Sequence, residues 1–279
     1  MNKIICLSKM NKIICLYLFV VVSVCGANGQ TMLKGVVKDK NNIGVEYVTV
    51  CVDSIFTLTD RYGHFSLELP IGIKGDMTCT HIGYKKKVTP YSVYKGGIVD
   101  ILLEDEVYEL GEALVVARKA KPTAILRKGM KLPGDVAFGN APTGKYEIGP
   151  KFTVHDNFII DSFNLKIKKC TYEHCTLRLV VYEFSKGQFS PIISKPIYFN
   201  LSPLNKNSEI NIETTSSIVL HKGKDYYIGL TIVSGSKGTI HFPAYLRSGF
   251  VRNLINGTMK KLPATVGIGV IGRRQTIAD

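Results

Sequence analysis

The stretch His64–Pro70 reads HFSLELP, with Phe65, Leu67 and Leu69 alternating with His64, Ser66 and Glu68. A period of two puts the apolar side chains on one face of a strand and the polar ones on the other. Short runs of this kind are what most constrain the fold. No long stretch keeps apolar residues at the i, i+3, i+4, i+7 spacing of a helix. In the first half the runs are LKGVVKD, EYVTVCVD, FTLTD, HFSLELP, DMTCTHIGY, KKVTPYSV and IVDILLE, with ALVVAR after them. Gly, Pro, Asn and Asp separate them. Seven or eight short strands predict an antiparallel β-sandwich over residues 30–117.

The second half returns to strands, among them FIIDSFNLKI, TLRLVVYEF, DYYIGLTIV and TVGIGVIG. Residues 151–279 are therefore expected to form a second β-sandwich, jelly-roll-like, so that the whole chain is all-β. Between the two, residues 118–150 are rich in Gly, Pro and basic residues and poor in alternation. They read as a linker, with one helical turn around Ala124 to Lys128.

The chain opens MNKIICLSKMNKIICLYLFVVVSVCGANGQ. Lys3, Lys9 and Lys12 form a basic start, Ile13 to Val24 an apolar stretch short for a membrane span, and Ala27-Asn28-Gly29 a cleavage site of small residues. Residues 1–29 thus read as a signal peptide, and the protein as exported to the periplasm, outer membrane or cell surface. A lipoprotein anchored at Cys25 is the rival reading, weakened by Val24 where a lipobox wants a small residue. No other stretch is apolar enough to span a bilayer as a helix, so the mature protein is expected to be peripheral to a membrane at most.

The formal charge is +14. The basic residues are scattered along strands and loops, and in an exported protein nucleic acid is not the expected partner. An anionic envelope surface fits better. Outside the leader, cysteines remain at 51, 79, 170 and 175. Export permits disulfides. Cys170 and Cys175 flank TYEH between two strand-like runs, a spacing that suits a disulfide closing a hairpin. Two free thiols are the alternative. A metal site with His174 is another, but it offers three ligands and no second Cys/His pair at zinc spacing. Cys51 and Cys79 sit in strand-like runs as buried or half-buried thiols.

Asp60, Arg61, Tyr62 and His64 crowd around Gly63 in TLTDRYGHFSLELP. Gly63 takes positive φ at low cost, and Asp60 can bind backbone amides ahead of it. His64 lacks neighbours that would make it a ligand or a base. Asp60 and Gly63 therefore read as a structural turn.

With the turn, the pattern resembles a known module. GVVKDKNNIGVEYVTVCVD, TLTDRYGHFSLELP and MTCTHIGYKKK are similar to the carboxypeptidase-D regulatory-like (transthyretin-like) domain of exported Bacteroidota proteins. Gly35, Val37, Thr59, Asp60, Gly63, Phe65, Ile82, Gly83 and Tyr84 carry the likeness, which covers residues 32–104. The resemblance implies a non-catalytic seven-stranded sandwich. Such domains also stand at the N-termini of TonB-dependent receptors, where a segment like ELGEALVVARK precedes a plug and barrel. About 160 residues follow here, so the resemblance implies a module and not a transporter.

Motif searches give no G-x-S-x-G elbow, H-E-x-x-H, Walker A loop or C-x-x-C. His155-Asp156 are strand neighbours that point to opposite faces. The reading is therefore a protein without enzymatic activity, catalytic residue, metal or cofactor. It is expected to act as a structural or interaction module toward an envelope protein or surface polysaccharide. The alternatives are a carbohydrate-binding surface protein and, more remotely, an exported hydrolase. With no tryptophan in the chain, Tyr182, Tyr226 and Tyr227 are the candidate ligand platform. The leader makes the first prediction: the exported protein begins at Gln30. Mass-spectrometric N-terminal sequencing checks it, and an intact leader or a lipid on Cys25 would refute it.

Overall fold

A computed structural model of the chain describes residues 30–106, 121–139, 143–235 and 237–275. The leader and the ALVVAR run lie outside the described residues. The fold is all-β, built as two sandwiches with separate cores.

Among the described residues the first sandwich has seven strands: β1 (Gln30–Lys38), β2 (Thr49–Val52), β3 (Ile55–Leu58), β4 (His64–Pro70), β5 (Met77–His81), β6 (Tyr84–Thr89) and β7 (Ile98–Leu102). One sheet has the order β4-β1-β7, the other β3-β2-β5-β6. The alternation in β4 is realised residue by residue, with Phe65, Leu67 and Leu69 buried and the others exposed. They meet Leu33, Val37, Val50, Val52, Met77 and Cys79 in one core. Two details differ from the sequence expectation. β1 and β7 run parallel, pairing Lys34 with Ile98 through Lys38 with Leu102; a parallel pair needs a long connection, here the whole of β2–β6. The run KKVTPYSV is also not one strand. Pro90, at φ −67°, stops β6 and caps a one-turn helix, α1 (Tyr91–Tyr94).

Among the described residues the second sandwich holds thirteen strands. They are β8 (Thr123–Leu126), β9 (Met130–Gly139), β10 (Tyr146–Thr153), β11 (Phe158–Lys166), β12 (Lys169–Cys170), β13 (Cys175–Ser185), β14 (Gln188–Pro191), β15 (Ile197–Leu201), β16 (Glu209–Leu220), β17 (Asp225–Gly235), β18 (Thr239–Asn253), β19 (Met259–Val266) and β20 (Ile268–Arg274). A four-stranded sheet, β16-β11-β20-β8, faces a nine-stranded one. Phe163, Leu165, Ile218, Leu220 and Val270 from the first meet Leu177, Leu179, Val181, Ile228 and Leu230 from the second.

The linker reading of residues 118–150 is corrected by this arrangement. β8, β9 and the first half of β10 fall inside it, and Ala124 to Lys128 start as a strand and not a helical turn. β10 is an interior strand, paired with β17 on one side and β18 on the other. Its glycine marks close approach, not flexibility. A Cβ on Gly149 would stand 1.6 Å from the Ile228 carbonyl oxygen, and one on Gly249 would stand 2.2 Å from the Gly149 carbonyl oxygen.

A boundary test follows. Residues 121–279 expressed alone should unfold cooperatively in urea. Residues 151–279 lack β8, β9 and half of β10, so β17 and β18 lose the strand between them. That fragment should show no cooperative transition by circular dichroism.

Candidate functional site at the junction of the two sandwiches

Strand register sets the junction. Arg178 of β13 pairs with Tyr198 of β15, so the two side chains share one face of the nine-stranded sheet. The first sandwich meets that face. The Tyr47 ring lies 5.1 Å from the Tyr198 ring, and His81 Nε2 lies 3.2 Å from the Tyr198 hydroxyl. Ile82 packs against the core of the second sandwich. At Gly83, φ +97°, a Cβ would stand 2.4 Å from the Ser194 carbonyl oxygen. The I-G-Y triplet of the sequence motif thus sits at the contact between units.

Two clefts flank this contact. One, of about 790 Å³, is lined by Glu46, Asp60, Arg61, Tyr62 and His64 from the first sandwich and by Val233 and Ser234 from the second. The other, of about 670 Å³, is lined by Lys40, Glu46, His81, Ser194, Lys195 and Tyr198, among others. The crowded turn of the sequence therefore rims a cleft while serving the backbone. Asp60 Oδ1 accepts hydrogen bonds from the amides of Tyr62 (2.8 Å) and His64 (2.9 Å). Gly63 has φ +80°, and a Cβ there would stand 2.2 Å from the Val37 carbonyl oxygen. His64 and Tyr62 are exposed, with the Arg61 guanidinium 4.6 Å from the Tyr62 ring centre.

The face shared by Arg178 and Tyr198 continues into a buried polar row. Glu147 is fully buried, and its carboxylate accepts hydrogen bonds from Arg252 (2.8 Å) and the Tyr182 hydroxyl (3.0 Å). The Arg252 guanidinium lies 3.8 Å from the Phe189 ring centre and 4.8 Å from that of Tyr182. Cation–π contact stabilises it there. Gly229 leaves room for the carboxylate, since a Cβ would meet it at 2.2 Å. None of Glu147, Arg178 or Arg252 was singled out by sequence. Arg178 did leave a signal, the one basic residue inside the run LRLVVYEF.

The expected tyrosine platform is corrected. Tyr182, Tyr226 and Tyr227 are all buried. Tyr182 and Tyr227 are cross-strand neighbours, with Phe189 packed on both rings. Tyr226 points to the other face, beside Phe152. Burial raises the hydroxyl pKa of all three. The expected Cys170–Cys175 disulfide is corrected too: both are buried free thiols. The Cys170 thiol is 3.8 Å from the Tyr172 carbonyl oxygen, and burial pushes the Cys175 thiol up to about 12. His174 is exposed, so it does not join the two thiols in one site.

At the junction His81 is held down at about 4, first by burial and then by the Arg178 charge. Its Nδ1 is buried without a partner. The unfolded value is near 6.5, so between pH 6.5 and 4 the unfolded chain binds the extra proton. His81 therefore contributes stability that is complete above about pH 6.5 and is lost as pH falls toward 4, on the order of 1–3 kcal/mol. Urea midpoints followed across that range should fall less steeply in His81→Gln than in the parent protein. Parallel profiles would refute the assignment.

No family model matches the chain, and no curated protein matches it. Solved structures that it resembles include "Structure of infectious bursal disease virus Gx strain", at 9% identity and a TM-score of 0.29, over 89% of this chain and 60% of that one. Another is "Structure of infectious bursal disease virus Gt strain", at 8% identity and a TM-score of 0.23, over 88% and 64%. The chain thus spans less than two thirds of either, and likeness this low carries no argument about function.

Proposed function

We propose that this is an exported, non-enzymatic cell-envelope protein that works as an interaction module. Its partner would be an envelope protein or a surface polysaccharide. The observation that supports this best is the junction itself. Two sandwiches meet over a narrow contact and leave two wide clefts, each lined from both sides. Clefts of this kind suit an extended partner laid between the units. The leader and the sandwich motif of residues 32–104 support the envelope setting.

The 790 Å³ cleft is the favoured docking face. Its rim carries Tyr62, 58% exposed, with Arg61 and His64 beside it. Exposed aromatic and guanidinium groups on a rigid turn serve contact with either a polymer or a peptide. Asp60, by contrast, is committed to the turn amides.

A photo-crosslinking residue at position 62 reads this directly in whole cells. The expected result is one discrete crosslinked envelope protein or polysaccharide, absent when the same residue stands at exposed position 98 on the outer face of the first sandwich. Crosslinks at both positions, or at neither, would refute the docking face.

A further inference from the structure

Two sheet edges bound the 790 Å³ cleft. β3 and β4 each stand at the end of their sheet, and Thr57, Leu58, His64, Phe65 and Ser66 line the cleft from them. An edge strand carries a row of main-chain N–H and C=O groups without a ladder partner. β4 is the longer of the two, seven residues against four.

The hydrogen bonds of β4 show which of its groups are open. The Val37 amide donates to the Gly63 carbonyl (2.8 Å), and the register continues through Gly35 with Phe65 and Leu33 with Leu67. In an antiparallel ladder alternate residues bond the partner strand. Phe65 and Leu67 are therefore committed to β1, and His64, Ser66 and Glu68 turn their main-chain groups outward. His64 confirms the parity. Its amide donates to Asp60 Oδ1 and its carbonyl accepts from the Asp60 amide, so neither is spent on β1. The turn caps the edge at His64 and leaves Ser66 and Glu68 open.

Other edges of the molecule are guarded. β6 carries Lys85, Lys86 and Lys87, and β19 carries Lys260, Lys261 and Pro263. In β16, Thr214 to Ser217 bulge out opposite Asp161 alone. Lysines, prolines and bulges are the devices that keep foreign strands off an edge. β4 has no lysine, no proline before Pro70 and an unbroken register with β1. Glu68 is exposed and forms no ion pair with any described residue.

We infer that the partner at the 790 Å³ cleft is a polypeptide of another protein, which adds an extended segment to the open edge of β4 and sets a lysine or arginine beside Glu68. The inference rests on the docking face proposed above and names the chemistry of its partner. An added strand is held by main-chain hydrogen bonds, and its side chains supply the choice of sequence. A polypeptide repeats N–H and C=O groups at the spacing of Ser66 and Glu68, which a polysaccharide does not. An opposite charge across the new pair completes the unpaired carboxylate.

The test uses the full mature chain. In the protein alone, amide exchange followed by NMR should be roughly tenfold or more faster at Ser66 and Glu68 than at Phe65 and Leu67. Equal protection at all four would show the edge closed and overturn the inference. In cells, with the crosslinking residue at position 62, mass spectrometry of the product should find a peptide of a second protein. Ser66→Pro removes an outward N–H and no bond to β1, and should cut the yield roughly tenfold. If circular dichroism shows that variant unfolded, Glu68→Lys decides, with every amide in place and a severalfold lower yield expected. An undiminished yield in the variant that folds overturns the edge pairing. An adduct to sugar, or to a second copy of this chain, overturns the partner assigned here and leaves the docking face standing. No product at position 62 overturns the docking face and this inference with it.

Discussion

The second sandwich depends on a carboxylate that has no contact with water. Glu147 on β10 is satisfied by Arg252 from β18 and by Tyr182 from β13, and it lies over Gly229 of β17. Four strands of one sheet are thereby tied through a single group. Loss of one partner from such a pair costs about 3–5 kcal/mol, because the remaining charge stays buried and uncompensated. The pair gives less net stability than an apolar cluster of equal volume would. It does fix register, since a one-residue slip of β10 would turn Glu147 into the apolar core on the opposite face.

The same sheet face explains why the junction differs from the rest of the molecule. Toward Arg252 the face is closed by aromatic rings, with Phe184, Phe189 and Phe250 packed around Tyr227. Toward Arg178 it is closed by another folding unit, through Tyr47, His81 and Ile82. Aromatic closure satisfies its buried charge, whereas closure by the first sandwich leaves polar atoms on both sides of the seam without partners.

Much of the fold was legible because a period of two is a strong local signal. β4, β11, β13 and β17 follow runs visible in HFSLELP, FIIDSFNLKI, TLRLVVYEF and DYYIGLTIV. The Asp60–Gly63 turn was equally visible, because its hydrogen bonds are made within five residues. β9 and β10 were missed in part because Gly139 and Gly149 answer to distant strands, at Thr239 and Ile228. Gly149 is small on account of Ile228, and Gly249 on account of Gly149, contacts which no local window contains. The site was legible only in fragments. Neither Arg178 nor Glu147 was singled out by sequence, because their partners Tyr198 and Arg252 come from other strands. The tyrosines misled for a related reason: alternation tells which residues share a face, and not whether another element covers it.

The junction also has a distinctive energetic character. Its apolar part includes Ile82 and the tilted pair of Tyr47 and Tyr198 rings. Its polar part includes an imidazole held neutral by burial and a sealed, unpaired guanidinium nitrogen. Apolar burial stabilises a contact in proportion to area, at about 25 cal/mol per Å², whereas each unsatisfied polar atom subtracts about 1–3 kcal/mol. A few such atoms offset much of what a narrow apolar contact contributes. The seam is therefore weaker than either core.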